Sequence, residues 1–213
     1  MPAHRILRRK TNRCTPLLLK TGFFILFLSV ILISCEQSYT PKPKGYFRID
    51  LPEKQYVPFD STFPYRFERP VYTTITPDPY SPGEPYWINL NFPAFKATLH
   101  ISYKPVKNNL STYLEDSYTM VTKHIPKADA INTYQVMDTA RKVYGLIYRL
   151  EGSGAASPYQ FFLTDSTANF LRGSLYFNTV PNNDSLEPVI DFITKDIDHL
   201  IDTFHWKPLR NRD

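Results

Sequence analysis

Large and polar side chains alternate at period two from Trp87 to Phe92. They alternate again from Ala97 to Tyr103, where Leu99, Ile101 and Tyr103 interleave with Thr98, His100 and Ser102. That is the pattern of half-buried strands. Pro93 separates the two runs, and so short a break implies a hairpin. Three further strands are expected at Lys142 to Glu151, Tyr159 to Thr164 and Asn169 to Asn178. Gly152 to Ala156 and Asp165 to Thr167 supply the turns between them, which makes an antiparallel meander. A short strand near Thr133 to Met137 precedes it.

Two stretches change to helical period. Asn108 or Asn109 can cap a helix running to about His124, with Leu110, Tyr113, Leu114, Tyr118 and Val121 at spacings of three and four, and Pro126 just beyond its end. Asp184 or Ser185 can cap a second, in which Pro188 falls in the first turn, where a missing N–H costs little. Its apolar face is Leu186, Val189, Ile190, Ile193, Ile197, Leu200, Ile201 and Phe204. Asp191, Lys195, Asp196, Asp198 and Asp202 occupy the rest and read as a solvated arc. Each buried aliphatic side chain contributes ~1.5–3 kcal/mol, so this helix must pack on the sheet.

Upstream, prolines recur at 52, 58, 64, 70, 77, 79, 82 and 85. That density forbids a helix and any long central strand. One short strand is expected at Tyr65 to Arg69 and a turn at Asp78 to Gly83. The rest of 51–85 reads as an ordered wrap, because Tyr56, Phe59, Phe63, Tyr72 and Tyr80 supply area to bury. The expected fold class is α+β, an antiparallel sheet of six or seven strands covered by two helices. It forms a single domain over 45–207, with 208–213 as a tail. The element order is similar to that of the PsbP/Mog1-like sandwich, a likeness of fold and not of function.

The first 34 residues read differently. Phe23 to Ile33 is an apolar run of eleven residues, too short to span a bilayer, which takes ~20. Leu32, Ile33, Ser34 and Cys35 end it as a lipobox: a large apolar residue three places before the cut, a small residue before it, and the cysteine that takes the lipid. Residues 1–34 are therefore expected to be a lipoprotein signal peptide, and 35–44 a polar, lipidated linker bearing Pro41 and Pro43. At ~3 Å per residue the linker reaches roughly 30 Å.

Removing the leader changes the charge. Arg5, Arg8, Arg9, Lys10, Arg13 and Lys20 precede Cys35 and no acidic residue does, so 25 basic residues become 19 against 20 acidic, and a net +5 becomes −1. The remaining 179 or so residues lack the basic footprint of a nucleic-acid partner. Cys14 leaves with the leader, so Cys35 is the single mature cysteine. Lipidation accounts for it, with no disulfide framework and no thiolate metal site.

Candidate chemistry is sparse. His199 and His205 are six apart, on different helix faces, and His100 lies on a strand, so no helical His pair forms a metal site. Gly152-Ser153-Gly154 has the wrong spacing for a nucleophile elbow and leads into a strand. The carboxylates Asp196, Asp198 and Asp202 do not make an acid–base pair, and no glycine-rich phosphate loop is present. No metal, cofactor or small-molecule substrate is expected beyond a covalent lipid on Cys35, and the chain reads as no enzyme. Trp87, Tyr86, Tyr80, Tyr46 and Phe47 could line an aromatic platform for glycan or peptide, against the alternative that they fill the core.

Pro41 to Asp50, Trp87 to Pro93, Tyr103-Lys104-Pro105-Val106, Lys123-His124, Lys127 to Ala130, Val143-Tyr144-Gly145, Ala155-Ala156-Ser157, Thr164 to Thr167, Gly173 to Phe177 and Trp206-Lys207 occur in one order along the chain. In these stretches the chain resembles the gliding-motility lipoprotein family GldD of the Bacteroidetes, across essentially the whole mature length. The long basic start departs from the compact leaders of that family, which a start codon set too far upstream would explain. The resemblance implies an envelope lipoprotein required for gliding and linked with type IX secretion, with no catalytic residues. It implies membrane attachment through the lipid (a palmitate-bearing cysteine) and partners among the gliding and secretion proteins of the cell envelope, periplasm-facing at the inner or outer membrane. Partner contacts are expected at Tyr46, Arg48, Asp50 and Trp87. The alternative function is a lipid-tethered binding module for cell-wall glycan or peptide.

Overall fold

The alternating segments pair as their patterns require. The computed structural model describes residues 49–179 and 182–208. In chain order its elements are β1 Tyr56–Phe59, β2 Tyr65–Pro70, β3 Thr74–Pro77, β4 Ile88–Phe92, β5 Ala97–Pro105, α1 Leu110–Thr122, β6 Ala130–Asp138, β7 Val143–Glu151, β8 Tyr159–Thr164, β9 Asn169–Phe177, α2 Asn183–Asp202 and β10 His205–Trp206. Seven strands form one antiparallel sheet in the order β3-β4-β5-β9-β8-β7-β6, and β1-β2-β10 form a second, small sheet. The class is α+β, with a seven-stranded antiparallel sheet and two helices.

Strand alternation gives the large sheet two different faces. Leu90, Leu99, Ile101, Leu171, Leu175 and Leu163 point to one, into a core shared with Ile193, Ile197, Leu200 and Ile201 of α2 and with Tyr65, Phe67 and Phe204 of the small sheet and its approach. Tyr148, Leu150, Phe162 and Phe170 point to the other, where Val121 of α1 packs on them. Each helix thus covers one face. The helix α1 covers only the β6–β7–β8–β9 part.

Three local expectations are corrected. The proline-rich stretch holds three strands, not one, because its prolines sit where a missing N–H is harmless. Pro58 lies in β1, which pairs on one side only, and Pro70 and Pro77 are the last residues of β2 and β3. The α1 stripe turns so that Ser117 is buried and Tyr118 is 63% exposed. The helix α2 begins at Asn183, ahead of the expected cap, which puts Pro188 inside it rather than in its first turn. Asn183 itself is held by the β7–β8 turn, its Nδ2 donating to the carbonyls of Gly152 and Ala155, both at 2.9 Å. Gly152 has φ +118, and a Cβ there would meet Asp129 N at 2.8 Å, so this turn needs glycine.

The expected solvated arc of α2 also needs revision. Asp196 is 1% exposed and accepts hydrogen bonds from Lys54 Nζ, Tyr56 OH and Tyr72 OH. Asp198 is half-buried and takes Tyr159 OH at 2.5 Å and Arg149 Nη2 at 2.8 Å. Asp191, Lys195 and Asp202 are exposed as expected.

Candidate functional site

On the same face as α1, a polar row runs from the strands that the helix leaves open into those it covers. Successive neighbours along it are Asn89 on β4, His100 on β5, Ser174 on β9 and Gln160 on β8, one row over four strands. On either side of the row lie Asn91, Thr98 and Tyr176, and Ser102 and Arg172. Strand alternation put these residues opposite the apolar core, so their clustering follows from the same pattern that builds the fold.

Hydrogen bonds fix them to one another. His100 Nδ1 lies 2.7 Å from Asn89 Oδ1, which can only accept, so Nδ1 carries the proton and Nε2 is left as an acceptor. Packing against the sheet lowers the His100 pKa, with Asp78 opposing, and burial followed by the charge of Arg172 lowers that of His124. Both rings are therefore neutral at neutral pH, and Arg172 is the cation of the face. Arg172 Nη2 donates to Gln160 Oε1 at 2.6 Å. Asn91 Nδ2 donates to Thr76 Oγ1, and Thr98 Oγ1 to Asn91 Oδ1, each at 3.1 Å.

Two atoms stand out. Gln160 Nε2 and Ser174 Oγ are buried, each residue 1% exposed, and neither has a hydrogen-bond partner. Leaving such a group unpaired costs about 1–3 kcal/mol. The residue types Asn89, His100 and Ser174 are those of an acyl-transfer triad, but Ser174 Oγ makes no bond to His100 and is closed from solvent. A nucleophile needs both contacts. The arrangement can bind, by offering fixed donors and acceptors.

Elsewhere, a cleft of about 340 Å³ lies between the small sheet and the end of α2, lined by Phe59, Arg66, Glu68, Arg141, Thr203 and His205 among others. Its charges are largely occupied: Arg141 holds Asp138 and the carbonyls of Asp202 and Phe204, and Glu68 faces His199 at 2.7 Å. Among the described residues, no group of three His, Cys, Asp or Glu could hold a metal ion, and no helix is long and apolar enough to cross a membrane.

Of the residues expected at the site, Asp50 and Trp87 are among those described. Leu32, Ile33, Ser34, Cys35, Tyr46 and Arg48 lie outside the described residues, as does Phe47. Asp50 is exposed. Trp87 is half-buried, its indole N–H donating to Tyr103 O at 2.7 Å and Lys104 lying over its ring at 5.0 Å. Tyr86 packs edge-on against Phe63 and Tyr103, and Tyr80 is 90% exposed. Among the described residues, Trp87, Tyr86 and Tyr80 form no common platform. The polar row was missed because its signal, a polar residue at every second place of three strands, reads as ordinary solvated face until the strand order is known.

The fold and the polar face define a small α+β domain with fixed donors and acceptors on one side of its sheet. The chain belongs to the family of gliding motility lipoprotein GldD, whose model matches residues 36–206. It is a gliding motility lipoprotein, anchored to a membrane of the cell envelope. No curated protein matches it. Among solved structures it is similar to the cyanobacterial PsbP (CyanoP) of Synechocystis, with 12% identity over 75% of this chain and 97% of that one, and a TM-score of 0.46.

Proposed function

We propose that this chain is a non-enzymatic component of the envelope that supports assembly or stability of the gliding and type IX secretion machinery. Residues 1–34 direct export, Cys35 carries the lipid, 35–44 is the tether and 45–207 is the contact domain. The observation that supports this reading is the cross-linked polar face, in which Asn89–His100 and Arg172–Gln160 hold donors and acceptors in fixed places. Such a face suits recognition more than turnover. Cys35→Ala is expected to abolish spreading on surfaces and delivery of surface adhesins. Normal spreading, with the variant present at normal amounts, would sink the proposal.

A second reading, a tethered module for cell-wall glycan or peptide, is favoured by the solvent-reached part of the same face, where exposed His100 lies beside Asn89, Thr98 and Tyr176. Trp87→Ala is a poor test of it, since that ring supports its own neighbourhood. Ser174→Ala removes a buried hydroxyl with no partner, so the domain is expected to hold its stability or gain up to about 1 kcal/mol. If the face binds, His100→Ala loses saturable binding of the chain to isolated envelope polymers. Unchanged binding alongside unchanged stability rejects this reading.

A further inference from the structure

The two edges of the large sheet are built differently. The strand β3 is four residues long and ends in Pro77. Shortness and proline both keep an edge from pairing with a stranger. The strand β6 has neither. It runs nine residues without proline, lysine or arginine, and its register against β7 is unbroken from Ala130↔Glu151 to Asp138↔Val143. No bulge turns its outer backbone away. Thr133, Tyr134 and Gln135 are exposed at its centre, and among the described residues no strand pairs with its outer side.

Large side chains flank this edge on both faces of the sheet. Tyr134, opposite Ile147, lies on the α2 face, 48% exposed, with the Arg149 guanidinium 5.1 Å from its ring. Met137, opposite Tyr144, lies on the α1 face, 65% exposed. A strand added in the plane of the sheet reaches both, whereas a partner laid on one face reaches one.

We propose that β6 receives an extended segment of a partner protein by strand addition. Unpaired main-chain N–H and C=O groups supply the affinity in that mode, and alternate side chains supply the selectivity. Charge selects the occupant. The interior from Ile131 to Met137 is uncharged; Asp129 stands before it, and Asp138 at its end is already paired with Arg141 at 2.7 Å. A segment with a neutral, alternating interior and a Lys or Arg at the end that meets Asp129 is complementary. A second copy is not: two-fold pairing about Tyr134 runs antiparallel and brings the Asp138 carboxylate of each copy, whose cation is already engaged, to the Asp129 end of the other. The proposal rests on this edge and not on the polar face.

The test places a photo-crosslinking residue at Tyr134 and, separately, at Met137 of the full-length chain in motile cells, with exposed Tyr118 on α1 as control. The expected result is one and the same partner captured from both positions and not from Tyr118, through a single extended stretch with a Lys or Arg at the end that meets Asp129. Thr133→Lys combined with Gln135→Lys is expected to remove the adduct while leaving the thermal unfolding midpoint in place; Gln135→Lys alone serves if the pair does not fold. Capture from one face only, an adduct of two copies of this chain, no adduct, or an adduct undiminished by the folded lysine variant overturns the proposal.

Discussion

Asp196→Ala is expected to destabilise the domain by about 3 kcal/mol, the lower end of what breaking a buried ion pair costs. The carboxylate is 1% exposed and takes Lys54 Nζ at 2.6 Å, Tyr56 OH at 2.9 Å and Tyr72 OH at 2.5 Å. Lys54 also donates to Phe192 O at 2.9 Å and lies 3.7 Å over the Phe192 ring. All three donors come from the proline-rich stretch, so one side chain of α2 fastens that stretch at both ends of the β1–β2 hairpin. The Lys54 side chain is 28% exposed, so its charge regains some water when the partner is lost, which sets the estimate at the lower end. Urea unfolding measures the change as a shift of midpoint at constant slope. A loss under about 1 kcal/mol, the size of an ordinary surface substitution, would rule out the fastening role.

The same cluster predicts how alkali acts on it. Burial first, and then the bond and charge of Asp196, raise the phenol pKa of Tyr56 and Tyr72 above the ordinary value. The folded chain therefore keeps protons that the unfolded chain gives up, and this contribution is complete below about pH 10 and falls as pH rises beyond it. In Asp196→Ala the fall is expected to be shallower, since the Asp196 part of the shift is gone.

Gly145→Ala is expected to cost more than about 3 kcal/mol, beyond the usual range for overpacking. A Cβ at Gly145 would lie 1.9 Å from Phe162 O and 3.0 Å from Phe162 C, both backbone atoms of β8. Rotamers cannot relieve that contact. Either β7 or β8 must move, and β7 is hydrogen-bonded on both sides, to β6 and to β8. Gly173→Ala is the comparison, because its Cβ meets the Phe161 ring, 2.1 Å away at the nearest atom. A ring can turn where a backbone carbonyl cannot, so Gly173→Ala is expected to be the milder of the two. Thermal unfolding of both variants decides it, and the reverse order, or a loss under about 1 kcal/mol at Gly145, would show that the strands yield.

Much of the large sheet could be read directly. The strands β4, β5, β7, β8 and β9 and the helix α2 were anticipated within a few residues, because each buries one side and so carries a period of two or of 3.6 in its own residues. Turns at Asp165 and Gly152 were visible for a local reason too. Burial opposes ionisation of Asp165, but its carboxyl is held below the usual range by the backbone N–H groups of Ala168 and Thr167 and by Asn169. The strands β1 and β3 are hidden in the sequence because a proline is tolerated only where that side of the strand goes unpaired, which no local pattern shows. Two residues, His205 and Trp206, are too few for any period, so β10 had no signal.

The amino-acid order by itself determined the α+β class and the family stretches, both of which depend on residues close together in the chain. Only the tertiary structure decided which polar residues matter. Asp196 and Asp202 sit on one helix and look alike in sequence, yet the first is 1% exposed beneath Tyr56 and Tyr72 and the second is exposed. Asn89, His100, Ser174 and Gln160 are spread over 86 positions and become neighbours only when β9 enters between β5 and β8. The reason is physical: periodicity reports which side of an element avoids water, whereas the partner across the gap is set by strand order and helix placement, which no local pattern encodes.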